Sequence, residues 1–165
     1  MSVPVVSNTT PLSTLARVAC LDWIPRRWGH VTIPPAVWRE LECLRDPAAL
    51  SRLHLAKESG WIRVAAVSAR SRVIEFLDRL DEGESEAIVL AKETGVPLVW
   101  MDEAAGRAIA MKEGLRVTGT AGMVKWAWQQ GMLPHVRPML ERLRTEGGLY
   151  LSNAFIAQVA EECGE

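Results

Sequence analysis

Residues Gly83 to Thr120 read GESEAIVLAKETGVPLVWMDEAAGRAIAMKEGLRVTGT. Apolar side chains recur with a helical period from Gly83 to Thr94, and Lys92 followed by Gly95 has the basic-then-glycine form of a helix end. The buried run from Pro97 to Met101 is too short for a helix and reads as a strand. A second helical pattern spans Asp102 to Glu113, closed in the same way by Gly114, and a strand from Arg116 to Thr118 follows. Helix, strand, helix and strand in that order describe a mainly parallel sheet covered on both faces.

The alternation extends toward the N-terminus. Strands are expected at Val3 to Ser7, His30 to Ile33 and Trp61 to Val67. Between them lie helical patterns at Leu12 to Ile24, Pro35 to Leu44, Ala48 to Lys57 and Ala69 to Leu80, with Thr10 as an N-cap and Pro11 in a first turn. A further helix covers Ala121 to Gln130, and residues 131–165 form a helical appendage packed on the sheet. The expectation is one α/β domain over residues 1–165, a three-layer α/β/α arrangement around a central, mainly parallel sheet with added C-terminal helices.

Composition narrows the function classes. Of 165 residues, 19 are Lys or Arg and 20 are Asp or Glu, a formal charge of -1, so bulk positive charge does not hold a nucleic acid and any such role rests on a local site. At 48% hydrophobic the chain is too apolar for disorder. Three widely spaced cysteines without a Cys-x-x-Cys pair argue against a disulfide framework and suit a reducing cytosol. No apolar run approaches the roughly 20 residues of a membrane span, and VPVVSN follows the start with no charged leader. A cytoplasmic protein without a membrane partner is expected.

In a sheet of this kind, strand carboxyl ends and helix N-termini share one edge, where ligands bind. The first strand ends at Ser7-Asn8-Thr9-Thr10, the fourth at Met101-Asp102-Glu103 and the fifth at Thr118-Gly119-Thr120. Glu84 and Glu86 open the helix before the fourth strand. Glu40 borders the stripe of Val37, Leu41 and Leu44 on its helix, whereas Glu42 lies nearly opposite and faces water. Three or four carboxylates therefore converge with one amide. Such acids repel unless a proton or cation intervenes, and hard oxygen donors suit Mg²⁺ or Mn²⁺. Each residue taken alone also admits a plain structural reading: Asp102 as a helix N-cap, Glu103, Glu84 and Glu86 as answers to helix dipoles, and Asn8 as a turn residue.

The segments VVSNTTPLSTLARVACLDWI (Val5 to Ile24), VTIPPAVWREL (Val31 to Leu41) and LDEGESEAIVLAKETGVPLVWMDEAAGRAIAMKEGLRVTGTAGMV (Leu80 to Val124) resemble a VapC-like branch of the PIN-domain superfamily, known as DUF3368. The most specific pieces are SNTTPL, PPAVWREL, the GESEA helix start and MDEAAGR. The resemblance implies a metal-dependent ribonuclease using one or two Mg²⁺ or Mn²⁺ ions, the toxin of a toxin–antitoxin pair, with RNA as substrate, a small antitoxin as partner and a homodimer as the assembly. Carried over, the four acidic positions fall on Asn8, Glu40, Glu86 and Asp102, with Glu84 as the near neighbour of the third. Thr9 and Thr120 match hydroxyl positions beside the site. Asn8 departs from the usual Asp, which leaves a second expectation: a catalytically weakened PIN-like module that binds RNA or protein.

Other constellations point nowhere sharper. His30, His54 and His135 lack zinc spacing, and no Walker A, HExxH or GxSxG motif occurs. A receiver-like phosphohydrolase would need a Lys at a strand end, and none is present. Arg107, one turn beyond Asp102, is either a solvated helix residue or a side chain that steadies an RNA phosphate. Arg26, Arg27, Arg70 and Arg72 are expected on the solvated surface, Trp61 and Trp100 in the core, and Trp38, Trp126 and Trp128 on helices where they either bury or meet a partner.

Overall fold

In the computed structural model, which describes residues 3–165, five three-residue strands form one wholly parallel sheet in the order β3-β2-β1-β4-β5. They are β1 (Val5–Ser7), β2 (Val31–Ile33), β3 (Ile62–Val64), β4 (Leu98–Trp100) and β5 (Arg116–Thr118). Register is set centrally by β1 against β4, pairing Val5 with Leu98 and Ser7 with Trp100. Each strand falls inside its expected span.

Helices occupy both faces: α1 (Thr9–Arg17), α2 (Trp23–Trp28), α3 (Pro35–Glu42), α4 (Pro47–Glu58), α5 (Arg70–Phe76), α6 (Glu82–Thr94), α7 (Ala104–Lys112), α8 (Thr120–Gln129), α9 (Arg137–Thr145) and α10 (Asn153–Glu162). Alternation along the strands sorts the core in two. Val5 and Trp100 join one apolar cluster with the helices α1 to α4 and α8 to α10, whereas Val6, Val99 and Met101 join another with α5, α6 and α7. This is the three-layer α/β fold the sequence pattern requires. Met139, Leu140 and Leu143 of α9 and Ile156 of α10 sit in the larger cluster, so the C-terminal helices are built into the core of that layer. Trp100 is fully buried edge-on to Trp28, their ring centroids 5.1 Å apart.

Three local expectations are corrected. The single helix from Leu12 to Ile24 is two helices, because the chain turns at Ala19, where φ is +58°. Asn8 rather than Thr10 occupies the N-cap position of α1, with Thr9 and Thr10 already helical. The arginines are less uniformly solvated than expected. Arg27 is half-buried over the Trp28 ring, 4.6 Å from its centroid, whereas Arg26, Arg70 and Arg72 are exposed as expected, Arg70 being paired with Glu82 and Glu86. The glycine helix ends do occur: Gly95 (φ +72°) closes α6 in the left-handed region that glycine enters without a Cβ penalty.

Candidate functional site

The strand order reverses direction between β1 and β4. The chain runs outward from β1 through β2 to β3, then returns across the sheet to β4 and proceeds to β5. Neighbouring crossovers leave the carboxyl ends of β1 and β4 in opposite senses, opening the crevice where open α/β sheets bind ligands. Asn8 follows β1 and Asp102 lies just beyond β4 at that crevice.

Asn8 stands at the N-cap of α1 in an extended conformation but makes no side-chain capping bond. Its Nδ2 donates to Glu103 Oε2 at 3.2 Å, while its Oδ1 is buried with no hydrogen-bond partner. An N-cap side chain that capped would contribute about 0.5–2 kcal/mol, and leaving a buried acceptor unpaired costs about 1–3 kcal/mol. Asn8 thus forgoes stability in a place where its residue type normally supplies it.

Carboxylates surround it. Glu103, at the N-cap of α7, accepts from Asn8 and also from the Thr10 hydroxyl. Glu40 of α3 accepts from the Thr9 hydroxyl. Its carboxyl is raised above the ordinary carboxylate range, first by burial and then by Asp81 and Glu82, against the lowering effect of the Thr9 bond. Glu84 is 7% exposed, and burial, reinforced by Asp81, Glu103 and Glu40, pushes its pKa up to about 7. A backbone N–H at Asp81 partly offsets this: Asp81 and Glu84 form a reciprocal capping box that starts α6.

Two glycines make room for these acids. A Cβ on Gly83 would lie 2.7 Å from Glu40 Oε1, and one on Gly106 would lie 3.2 Å from Glu84 Oε1 and 3.1 Å from Met101 Sδ. The glycine of GESEA therefore admits Glu40 to the start of α6, and the glycine of MDEAAGR lets α7 close over Glu84.

Glu84 and Glu86 separate. Two residues on a helix are about 200° apart, so both cannot face one crevice. Glu86 points to α3 and α5: its Oε2 accepts from the Ala36 backbone N–H at 2.9 Å and its Oε1 from Arg70 at 2.6 Å. Asp102 is held from the other side. Thr120 donates to it twice at 2.7 Å, from its backbone N–H at the start of α8 and from its hydroxyl. The Asp102 carboxyl stands above the ordinary carboxylate range, raised chiefly by burial against the lowering effect of these two bonds. Arg107 donates to the Met101 carbonyl oxygen at 2.8 Å beside Asp102. The residues singled out from sequence thus fall into three places. Asn8, Thr9, Glu40 and Glu84 share the crevice, Asp102, Thr120 and Arg107 flank it, and Glu86 is engaged elsewhere. Glu103 and Asp81 complete the crevice. The D-x-x-E spacing of a capping box was the readable signal for Asp81, whereas Glu103 looked like an ordinary first-turn acid.

The donors suit a hard cation: buried oxygens, mutually repelling carboxylates and one amide oxygen without a partner. They do not stand as a ready-made cage, since among the described residues no three His, Cys, Asp or Glu side chains converge on one point to hold a metal. Thr9, Thr10, Asn8 and Thr120 take up carboxylate oxygens instead, and a cation would have to replace some of those bonds.

A family model, DUF3368, described as a PIN domain, matches residues 4–165. No curated protein matches the sequence. Among solved structures, PAE2754 from Pyrobaculum aerophilum is similar, with a TM-score of 0.51 and 19% sequence identity over 77% of this chain and 98% of that one. At that identity the likeness is one of fold. Among the described residues no helix is long and apolar enough to cross a membrane.

Proposed function

The chain belongs to the PIN-domain family DUF3368, a nuclease-type assignment, and from that premise we propose that it is a divalent-metal-dependent endoribonuclease acting in the cytoplasm, the toxin half of a toxin–antitoxin pair. The observation that carries the metal and the position of the site is Asn8. Its amide oxygen is buried, unpartnered and diverted from helix capping, amid acids whose ionised forms repel.

Asn8, Glu40 and Glu84 are the proposed ligands for one or two Mg²⁺ or Mn²⁺ ions, with Glu103 and Asp102 on either side. Glu84 takes the third acidic position in place of Glu86, whose two oxygens are already bonded. Such an ion, when bound, supplies positive charge to phosphoryl oxygens and lowers the pKa of an attacking water. The chain's own side chains do the rest. Thr9 orients Glu40 through its hydroxyl. Thr120 fixes both oxygens of Asp102. Arg107, bonded to a carbonyl through one of its five N–H donors, presents a guanidinium edge to RNA phosphate. A small antitoxin would silence the enzyme by covering the crevice, and a homodimer is the proposed assembly.

The test is RNA cleavage by the purified chain stripped of any partner. Cleavage in Mn²⁺ that stops in EDTA, and falls in both Glu84→Gln and Asp102→Asn, is expected. Intact RNA in both metals, or a Glu84→Gln variant that cuts like the parent, would falsify the reading.

Asn8 also supports a second reading, an RNA- or protein-binding module with weakened turnover, because an amide supplies no charge where the usual Asp would. An Asn8→Asp variant that gains strong cleavage over a weak parent favours it, and a fully active parent removes it.

A further inference from the structure

A cavity of about 490 Å³ opens beside Asp102, between the β5–α8 turn and the segment joining α9 to α10. It shares Asp102 and Arg107 with the flank of the crevice, so whatever fills it lies next to the acids. Its inner side is kept open by small residues. A Cβ on Gly119 would meet Arg107 Nη1 at 3.0 Å and Asp102 Oδ1 at 3.1 Å, and one on Gly122 would meet Thr118 Oγ1 at 2.8 Å. The volume lies within the roughly 300–1,000 Å³ of small-molecule sites.

The rim is built from Leu149, Tyr150 and Leu151. The two leucines are buried, at 6% and 8% exposure, and the backbone is tied on both sides, Leu149 N–H to the Leu143 carbonyl at 3.0 Å and Arg144 to the Leu151 carbonyl at 3.3 Å. Between these anchors Tyr150, the only tyrosine in the chain, is 89% exposed. Phe155, 39% exposed, lines the same cavity. A fixed backbone thus holds an aromatic ring out in solvent at the mouth of a cavity whose other end carries a guanidinium. Ring and cation together are what a single-stranded nucleotide needs: a face to stack its base and a charge for its phosphate.

Building on the ribonuclease reading above, we propose that this cavity is a nucleotide subsite, in which one RNA base next to the scissile bond stacks on Tyr150 while Arg107 holds an adjoining phosphate. The C-terminal helices then contribute to substrate selection, because they position the Leu149–Leu151 segment against the sheet edge. Nothing in the sum of charge is needed for this. One stacked base and one phosphate contact give local affinity on a chain of net charge -1.

The experiment is fluorescence anisotropy of a short fluorescein-labelled single-stranded oligoribonucleotide with the full chain in EDTA, where cleavage does not intervene. Tyr150→Ala should weaken binding by about 5- to 100-fold, while Tyr150→Phe and Tyr150→Trp stay within about 3-fold of the parent. Because Tyr150 is almost wholly exposed, thermal unfolding should be the same for all four proteins. Equal binding by parent and Tyr150→Ala, or no binding by the parent, overturns the subsite. So does a Tyr150→Ala variant that binds RNA normally but loses a co-purifying protein, which would make the cavity a protein-docking surface. The two readings fail separately. Tyr150-dependent binding without cleavage in Mn²⁺ sinks the nuclease and keeps the subsite, and cleavage indifferent to Tyr150 does the reverse.

Discussion

Replacing Glu84 by Gln should stabilise the metal-free protein at alkaline pH and leave it little changed near pH 5. Glutamine keeps an oxygen for the Asp81 N–H of the capping box and removes the charge. In the parent, burial and the neighbouring acids lift Glu84 from 4.5 to about 7. The folded state therefore holds a proton through a range in which the unfolded chain has released it. Stability contributed by the neutral form is fully present below pH 4.5 and is lost as pH rises through about 7. At 1.36 kcal/mol per unit, the loss from this group between about pH 5 and pH 8 is about 2.5 kcal/mol, to order of magnitude. Urea unfolding of parent and Glu84→Gln at both pH values measures it directly. The gap between their midpoints should widen by about 1 M from the acid to the alkaline condition. Adding Mn²⁺ should close part of that gap, because a cation among the acids favours the ionised parent. Parallel curves at the two pH values would refute the placement of Glu84 in a cluster of like charges.

Three further outcomes follow from the same geometry. Glu86→Ala should cost about 1–3 kcal/mol by leaving the Ala36 N–H unpaired, with cleavage per folded molecule unchanged; a selective collapse of turnover at normal stability would restore Glu86 to the catalytic set. Gly106→Ala should lower the cleavage rate several-fold with a stability loss of about 1–3 kcal/mol from overpacking, since the new methyl presses on Glu84 and Met101; a fully active variant would show that Glu84 need not sit where it does. Asp102→Asn should destabilise by about 1–3 kcal/mol, because the amide nitrogen cannot accept from Thr120, and Thr120→Val should lose a similar amount; if neither differs from the parent by urea unfolding, the paired bond does not hold Asp102.

What the residues disclosed and what they concealed divide along physical lines. Strand positions were legible because short apolar runs sit between glycine-closed helices, as at Gly95 and Gly114. The break at Ala19 was not, since no glycine or proline marks it and a non-glycine residue takes the positive φ. Glu84 and Glu86 could not be told apart by amphipathicity, because every residue of α6 from Gly83 to Ala91 is buried and the helix has no wet face to orient it. Capping chemistry would have helped: Asp81 and Glu84 have the spacing of a capping box, which places the start of α6 at Glu82 rather than Gly83. Asn8 was visible as a residue but not as an anomaly. That its amide declines to cap α1 and reaches instead to Glu103, 95 positions away in sequence, depends on the β1–β4 pairing. The Thr9–Glu40 and Thr120–Asp102 pairs likewise needed the folded sheet to bring hydroxyl and acid together.

In the proposed site a divalent cation binds at the β1–β4 crevice through Asn8, Glu40 and Glu84. Anomalous diffraction from a crystal soaked in Mn²⁺ tests it most directly. A peak is expected within coordinating distance of Asn8 Oδ1 and the Glu40 and Glu84 carboxylates, with Glu86 still bonded to Arg70. A peak that instead draws in Glu86, or none at the crevice when RNA is cleaved in the same metal, would contradict it.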